Sequence, residues 1–135
     1  MFRKLDDSIS VAGQITPADV AEAAAQGFTF VINNRPDNEQ PGQPAAAEIE
    51  AAAKAAGLGF RAIPITHAGF SENQVSAMRD ALEAAPGPVL AFCRSGTRST
   101  LAWALARARL GDDADTLQAK AQAAGYDLTP IRALL

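Results

Sequence analysis

Residues 93–99, CRSGTRS, hold the chain's one cysteine, two arginines and a glycine within seven positions. A sulfur nucleophile beside guanidinium groups suits attack on a tetrahedral phosphorus or on sulfane sulfur. The apolar run VLAF (89–92) precedes the cysteine and TLAWALARARL (100–110) has helical character, so the loop lies where a strand hands over to a helix. A first helical turn leaves backbone N–H groups unpaired and carries a partial positive charge, and anions collect there. Gly96 lets those amides turn inward with no β-carbon in the way, which predicts an anion-binding nest over Arg94, Ser95, Gly96, Thr97, Arg98 and Ser99. Arg98 adds a planar fork that matches two oxygens, and Arg94 either joins it or reaches solvent.

The same field acts on the thiol. A cysteine at a helix N-terminus beside arginine ionises below its free value, so Cys93 is expected to be a thiolate that needs no histidine base. Ser99 hydrogen-bonds that thiolate or the leaving group, or else satisfies local amides. The plain alternative, a small buried side chain at a strand end, explains neither Gly96 nor the arginines.

The elements that must position this loop are readable from pattern. ISVAGQI (9–15) alternates weakly and predicts a strand; Thr16, Pro17 and Asp19 then mark a helix start, with the helix running to Gln26 and stopping at Gly27. FTFVINN (28–34) is β-branched and aromatic, a buried strand. RPDNEQPGQP (35–44) is a loop, residues 45–56 a helix ending at Gly57, and FRAIPI (60–65) the next strand. Ser71 with Gln74 three residues on has capping-box spacing, and that helix ends before PGP (86–88), where VLAFC begins. Two or three further helices follow the cysteine loop. Such alternation of strand and helix predicts one 135-residue α/β domain with a largely parallel sheet covered on both faces. Ligands of such sheets bind at the carboxyl ends of the strands, where residues 33–39, 66–70 and 93–99 converge.

Composition narrows the partners. The chain is 48% apolar with 31 alanines, and its net charge is −3 with twelve Lys plus Arg, which provides no basic stripe for a nucleic acid backbone. No stretch approaches the length of a membrane span, and MFRKLDDSIS lacks a signal peptide's apolar core, so a cytoplasmic chain away from membranes is expected. One cysteine and one histidine fall short of a zinc ligand set, and neither a metal nor an organic cofactor is expected. Alanine-rich helices cover a sheet or meet a second subunit equally well, so the oligomeric state stays open.

VINNRPDNE, IPITHAGFSENQV and VLAFCRSGTRST together resemble the phosphatase-like domain of the beta-lactamase hydrolase-like family, found alone or fused to a metallo-beta-lactamase-type domain. The resemblance runs from about Phe2 to the C-terminus. It implies a three-layer α/β/α cysteine-phosphatase fold with a mainly parallel central sheet, similar to dual-specificity protein phosphatases. In that family a cysteine attacks phosphorus, an arginine holds the equatorial oxygens and a carboxylic acid protonates the leaving group. Cys93 and Arg98 match the first two roles.

One departure stands out. Protein tyrosine phosphatases separate their cysteine and arginine by five residues, whereas here Arg94, Ser95, Gly96 and Thr97 make four. A loop of that size resembles the persulfide-forming loop of single-domain rhodaneses, although the chain lacks their His-Ile-Pro-Gly-Ala stretch and their double glycine and tryptophan. Two enzymatic readings follow: a phosphatase acting on a phosphorylated small molecule or protein, and a sulfurtransferase passing a Cys93 persulfide from donor to acceptor. A third reading is an anion-binding or redox-sensing module.

Only the phosphatase needs a general acid. By resemblance to the dual-specificity pattern, the acid's place two positions beyond the strand FRAIPI falls on His67, a side chain type that ordinarily titrates near neutrality. Its plain alternative is local turn contacts. Asp37 in RPDNE is the second candidate, with the alternative that it bonds its own backbone two residues on. Arg35 either pairs with Glu39 to shape the loop or faces the oxyanion.

Overall fold

The structure is a computed structural model and describes residues 2–135. Its central sheet has five strands, β1 (Arg3–Asp6), β2 (Ile9–Ala12), β3 (Phe30–Asn33), β4 (Gly59–Ala62) and β5 (Val89–Phe92), in the order β1-β2-β5-β3-β4. Strands β2, β5, β3 and β4 run parallel, and β1 joins the edge antiparallel to β2. Helices α1 (Pro17–Ala25) and α2 (Ala46–Ala55) cover one face; α3 (Glu72–Ala84), α4 (Thr97–Arg109), α5 (Ala114–Ala123) and the 3₁₀ turn Thr129–Leu134 cover the other. This is the three-layer α/β/α architecture with a mainly parallel sheet that the sequence led us to expect.

Strand alternation assigns the two cores. In β5, Val89 and Ala91 face α3 and α4, while Leu90 and Phe92 face α1 and α2; in β3, Ile32 and Val31 divide the same way. All four β5 side chains are buried, as a central parallel strand requires. Trp103 and Leu105 of α4 are fully buried with them.

The helix starts follow the expected chemistry. The Thr16 hydroxyl accepts from Asp19 N while the Asp19 carboxylate accepts from Thr16 N, and Ser71 and Gln74 make the same reciprocal pair at α3.

Apart from shifts of one or two residues at element ends, the largest differences from the sequence expectation lie in β2, β4 and β1. The strand expected over 9–15 ends at Ala12, because Gly13 must turn against the cysteine loop: a Cβ there would lie 2.9 Å from Arg94 O. The strand expected over 60–65 has a regular ladder only over Gly59–Ala62, although Ile63 N and Ile65 N still donate to Asn33 O and Asn34 O on either side of Pro64. β1 has no counterpart in the sequence expectation, since RKLD offers Leu5 as its one apolar residue and pairs only at an edge.

Register places the carboxyl ends together. Phe92 is level with both Ala12 and Asn33, so the segments after β2, β3 and β5 leave the sheet side by side. Leu90 is fully enclosed between the sheet and helices α1 and α2. Leu90→Ala is expected to cost about 2–5 kcal/mol of unfolding free energy, read from urea denaturation, through lost burial and the cavity left behind.

Candidate active site

Cys93 is the first residue past β5, and its N–H donates to Ala12 O. The chain then turns within three residues into α4, whose N-cap, Gly96, has φ 90° and ψ −9°. That left-handed conformation suits glycine and aims the Gly96 N–H at Cys93 Sγ, 3.1 Å away. No acceptor among the described residues takes up the N–H groups of Ser95, Thr97 and Arg98, as expected for a first helical turn. Of the amides in CRSGTRS expected to form a nest, the one at Gly96 is on the sulfur.

The sulfur is recessed. Cys93 is 1% exposed, while Arg94, Ser95 and Thr97 are exposed above it. The hydroxyls of Ser95 and Thr97 lie 3.1 Å apart. Ser99 Oγ is buried with no hydrogen-bond partner among the described residues, so neither of its expected local roles is occupied.

Arg98 departs from the picture of a fork held open for an anion. Its Nη1 and Nη2 donate to the two oxygens of Glu39, both at 2.8 Å, and Nη1 also donates to Ile65 O at 2.6 Å. A guanidinium only 8% exposed needs a counter-charge, and Glu39 provides it. Its Nε stays out of these bonds. The Arg98 pKa is raised, first by the hydrogen bonds to Glu39 and further by the nearby Cys93 sulfur.

Glu39 also accepts from Arg35 Nε at 2.9 Å. Arg35, 3% exposed, is completed by Gln14 Oε1 and Gln40 Oε1, so of its two expected roles the structure shows the pairing with Glu39. Held between two guanidinium groups, the Glu39 carboxyl falls to a pKa of about 2, chiefly through Arg98.

The two acid candidates lie in different settings. His67 is exposed in the segment between β4 and α3, and lines a cleft of ≈ 480 Å³ with Phe70, Arg94, Ser95, Thr97 and Arg98. The Asp37 Oδ1 accepts from Ala46 N at 2.8 Å and so caps α2, whose own N-cap, Ala45, has no side-chain acceptor. The expected bond of Asp37 to its own backbone two residues on is thus replaced by one nine residues on.

Two supports of the loop escaped sequence reading. Gln14 N donates to Arg94 O at 3.3 Å, and the Tyr126 hydroxyl donates to Ser95 O at 3.0 Å. Gly13, before a predicted helix cap, hinted at the first contact. Tyr126 is 31 residues from its partner, with no local pattern to connect them.

Known proteins share this arrangement of elements. Residues 1–110 match the family described as beta-lactamase hydrolase-like protein, phosphatase-like domain. The chain belongs to that family. A beta-lactamase hydrolase-like protein of Agrobacterium fabrum is 37% identical over 105 residues, which span 78% of this chain and 24% of that protein. The chain therefore spans about a quarter of that relative's length. A candidate phosphatase from Neisseria meningitidis, known from its crystal structure, superposes with a TM-score of 0.84 at 38% identity, covering 98% of this chain and 94% of that one. The family's fold extends to a kinase associated phosphatase crystallised with serine in place of its catalytic site cysteine (TM-score 0.72, 14% identity, 92% and 80% covered). Among the described residues, no helix is long and apolar enough to cross a membrane, and no three His, Cys, Asp or Glu side chains cluster as a metal site needs.

The sign of the Glu39 shift sets an acid sensitivity. Its folded pKa of about 2 lies below the ordinary 4.5, so its contribution is complete above pH 4.5 and is lost as pH falls toward 2. Urea unfolding followed from neutral pH to about 2 is expected to show Glu39→Gln losing less stability across that window than the wild type, by on the order of 2–3 kcal/mol.

Proposed function

We propose that this phosphatase-like domain hydrolyses phosphate monoesters with Cys93 as nucleophile. The observation that carries the reading is the arrangement at the start of α4: a sulfur accepting from Gly96 N–H, with the N–H groups of Ser95, Thr97 and Arg98 unclaimed beside it. A tetrahedral dianion satisfies such donors, and the helix end adds favourable field. The catalytic site cysteine of the fold-related kinase associated phosphatase supports the assignment.

In the proposed step the Cys93 thiolate attacks phosphorus in line with the ester oxygen. The S–P bond forms as the P–O bond breaks, and the departing oxygen takes a proton. Loop amides and the Nε of Arg98, which takes no part in the bonds to Glu39 and Ile65, hold the equatorial oxygens, where fixed donors supply most of the rate gain. Glu39 keeps Arg98 charged and oriented. Water then attacks the thiophosphoryl group, releasing phosphate and restoring the thiolate. Ser99, whose buried hydroxyl has no hydrogen-bond partner among the described residues, is the proposed donor to sulfur as it leaves.

His67 is the better placed acid, because it borders the cleft with Arg94 and Arg98, whereas Asp37 is engaged at α2. Asp37→Asn keeps an oxygen for Ala46 N, so turnover and melting temperature are expected to stay near wild type. His67→Gln is expected to slow hydrolysis of alkyl phosphates by about 10²-fold or more, and that of p-nitrophenyl phosphate, whose phenolate leaves unaided, much less. Equal loss on both ester classes would refute the acid role.

The four-residue gap between Cys93 and Arg98 keeps sulfur transfer as the competing reading. Separate incubations with p-nitrophenyl phosphate and with thiosulfate plus cyanide decide between them, with Cys93→Ser as control. Release of p-nitrophenol by the wild type alone is the expected result. Thiocyanate without p-nitrophenol would replace the phosphatase by a sulfurtransferase, and phosphate binding with neither product would leave an anion-binding module.

A further inference from the structure

The planar peptide joining Ser95 to Gly96 presents its two polar groups in opposite directions. Its N–H donates to Cys93 Sγ at 3.1 Å, and its carbonyl oxygen accepts from the Tyr126 hydroxyl at 3.0 Å. One rigid unit thus connects a phenol to the sulfur. Rotation of that peptide would break both bonds at once.

The phenol lies directly against the turn. A Cβ added to Gly96 would meet Tyr126 Oη at 2.2 Å and Cζ at 3.0 Å, so the hydroxyl occupies the space a side chain would take at 96. Tyr126 is itself fixed from two directions, and one of its partners, Arg3, is held in turn. Its N–H closes the end of α5 on Ala121 O, the Arg3 guanidinium carbon stands 5.7 Å from its ring centroid, and Arg3 Nη1 donates to Ala124 O. Burial raises the phenol's pKa, against the opposing charge of Arg3.

We propose that Tyr126 is a positioning residue for Cys93, holding the 95–96 peptide so that the Gly96 amide stays on the sulfur. It rests on the reading of Cys93 as nucleophile. Tyr126 lies beyond residue 110, where the family match ends, so the segment carrying α5 contributes to the site as well as to the core. A donor on the carbonyl also polarises the amide, so the N–H on the other side becomes a stronger donor to negative sulfur.

Tyr126→Phe removes the hydroxyl and keeps the ring. Two readouts apply: the rate of Cys93 alkylation by iodoacetamide as a function of pH, and hydrogen exchange of the Gly96 amide by ¹⁵N NMR. The variant is expected to fold like the wild type, with its alkylation curve moved to higher pH. Its rate at neutral pH should fall roughly three- to tenfold, the scale of one net hydrogen bond, and Gly96 should exchange faster by a similar factor. On p-nitrophenyl phosphate the same loss should fall in kcat with KM unchanged. An alkylation curve that overlays the wild type, with Gly96 protection intact, overturns the proposal. Should Tyr126→Phe unfold, Arg3→Gln, which leaves the hydroxyl but removes its brace, is read by the same two measurements, and unchanged curves there count against it equally. Absence of p-nitrophenol from the wild type would count against the phosphatase reading, while the alkylation comparison would still decide the role of Tyr126.

Discussion

A buried arginine must be answered by a carboxylate, and the demand of Arg98 for Glu39 ties the first turn of α4 to the loop after β3, 59 residues away in sequence. The tie branches. Glu39 also takes Arg35, Arg35 takes Gln14 and Gln40, and Arg98 reaches Ile65 O, so four of the segments at the carboxyl edge of the sheet share one charge network. Two cations around one anion leave the network with a net positive charge.

Much of this architecture was legible because it rests on short-range rules. Thr16 with Asp19 and Ser71 with Gln74 are local reciprocal caps, and β-branched runs such as VIN mark strands whatever lies around them. β1 was illegible because its pairing partner, not its composition, makes it a strand: Lys4 and Asp6 would read as loop in isolation. Pro64 interrupts the ladder that FRAIPI suggested, yet the neighbouring amides still reach β3's end, so the segment continues in direction without forming a regular strand.

The site shows the same division. Cys93, Gly96 and Arg98 announce themselves by spacing, since a helix start needs a turn residue and an anion needs donors. Glu39 was visible as a partner of Arg35, while its stronger attachment to Arg98 depends on tertiary packing. Asp37 read as a turn residue or an acid, and its actual partner, the unsatisfied amide at the start of α2, belongs to a helix whose own cap position is alanine. Tyr126 had no sequence signal, because α5 delivers it from a distance.

Gly13 bears on the small size of the cysteine loop. The turn after β2 lies so near Arg94 O that even a methyl group would collide, and Gln14 N grips that same oxygen. With Tyr126 pressing on Gly96 from the other flank, the loop is calipered between two walls. Its four-residue span is thus bounded on both flanks, and a side chain added at either Gly13 or Gly96 would have to displace a wall of the loop.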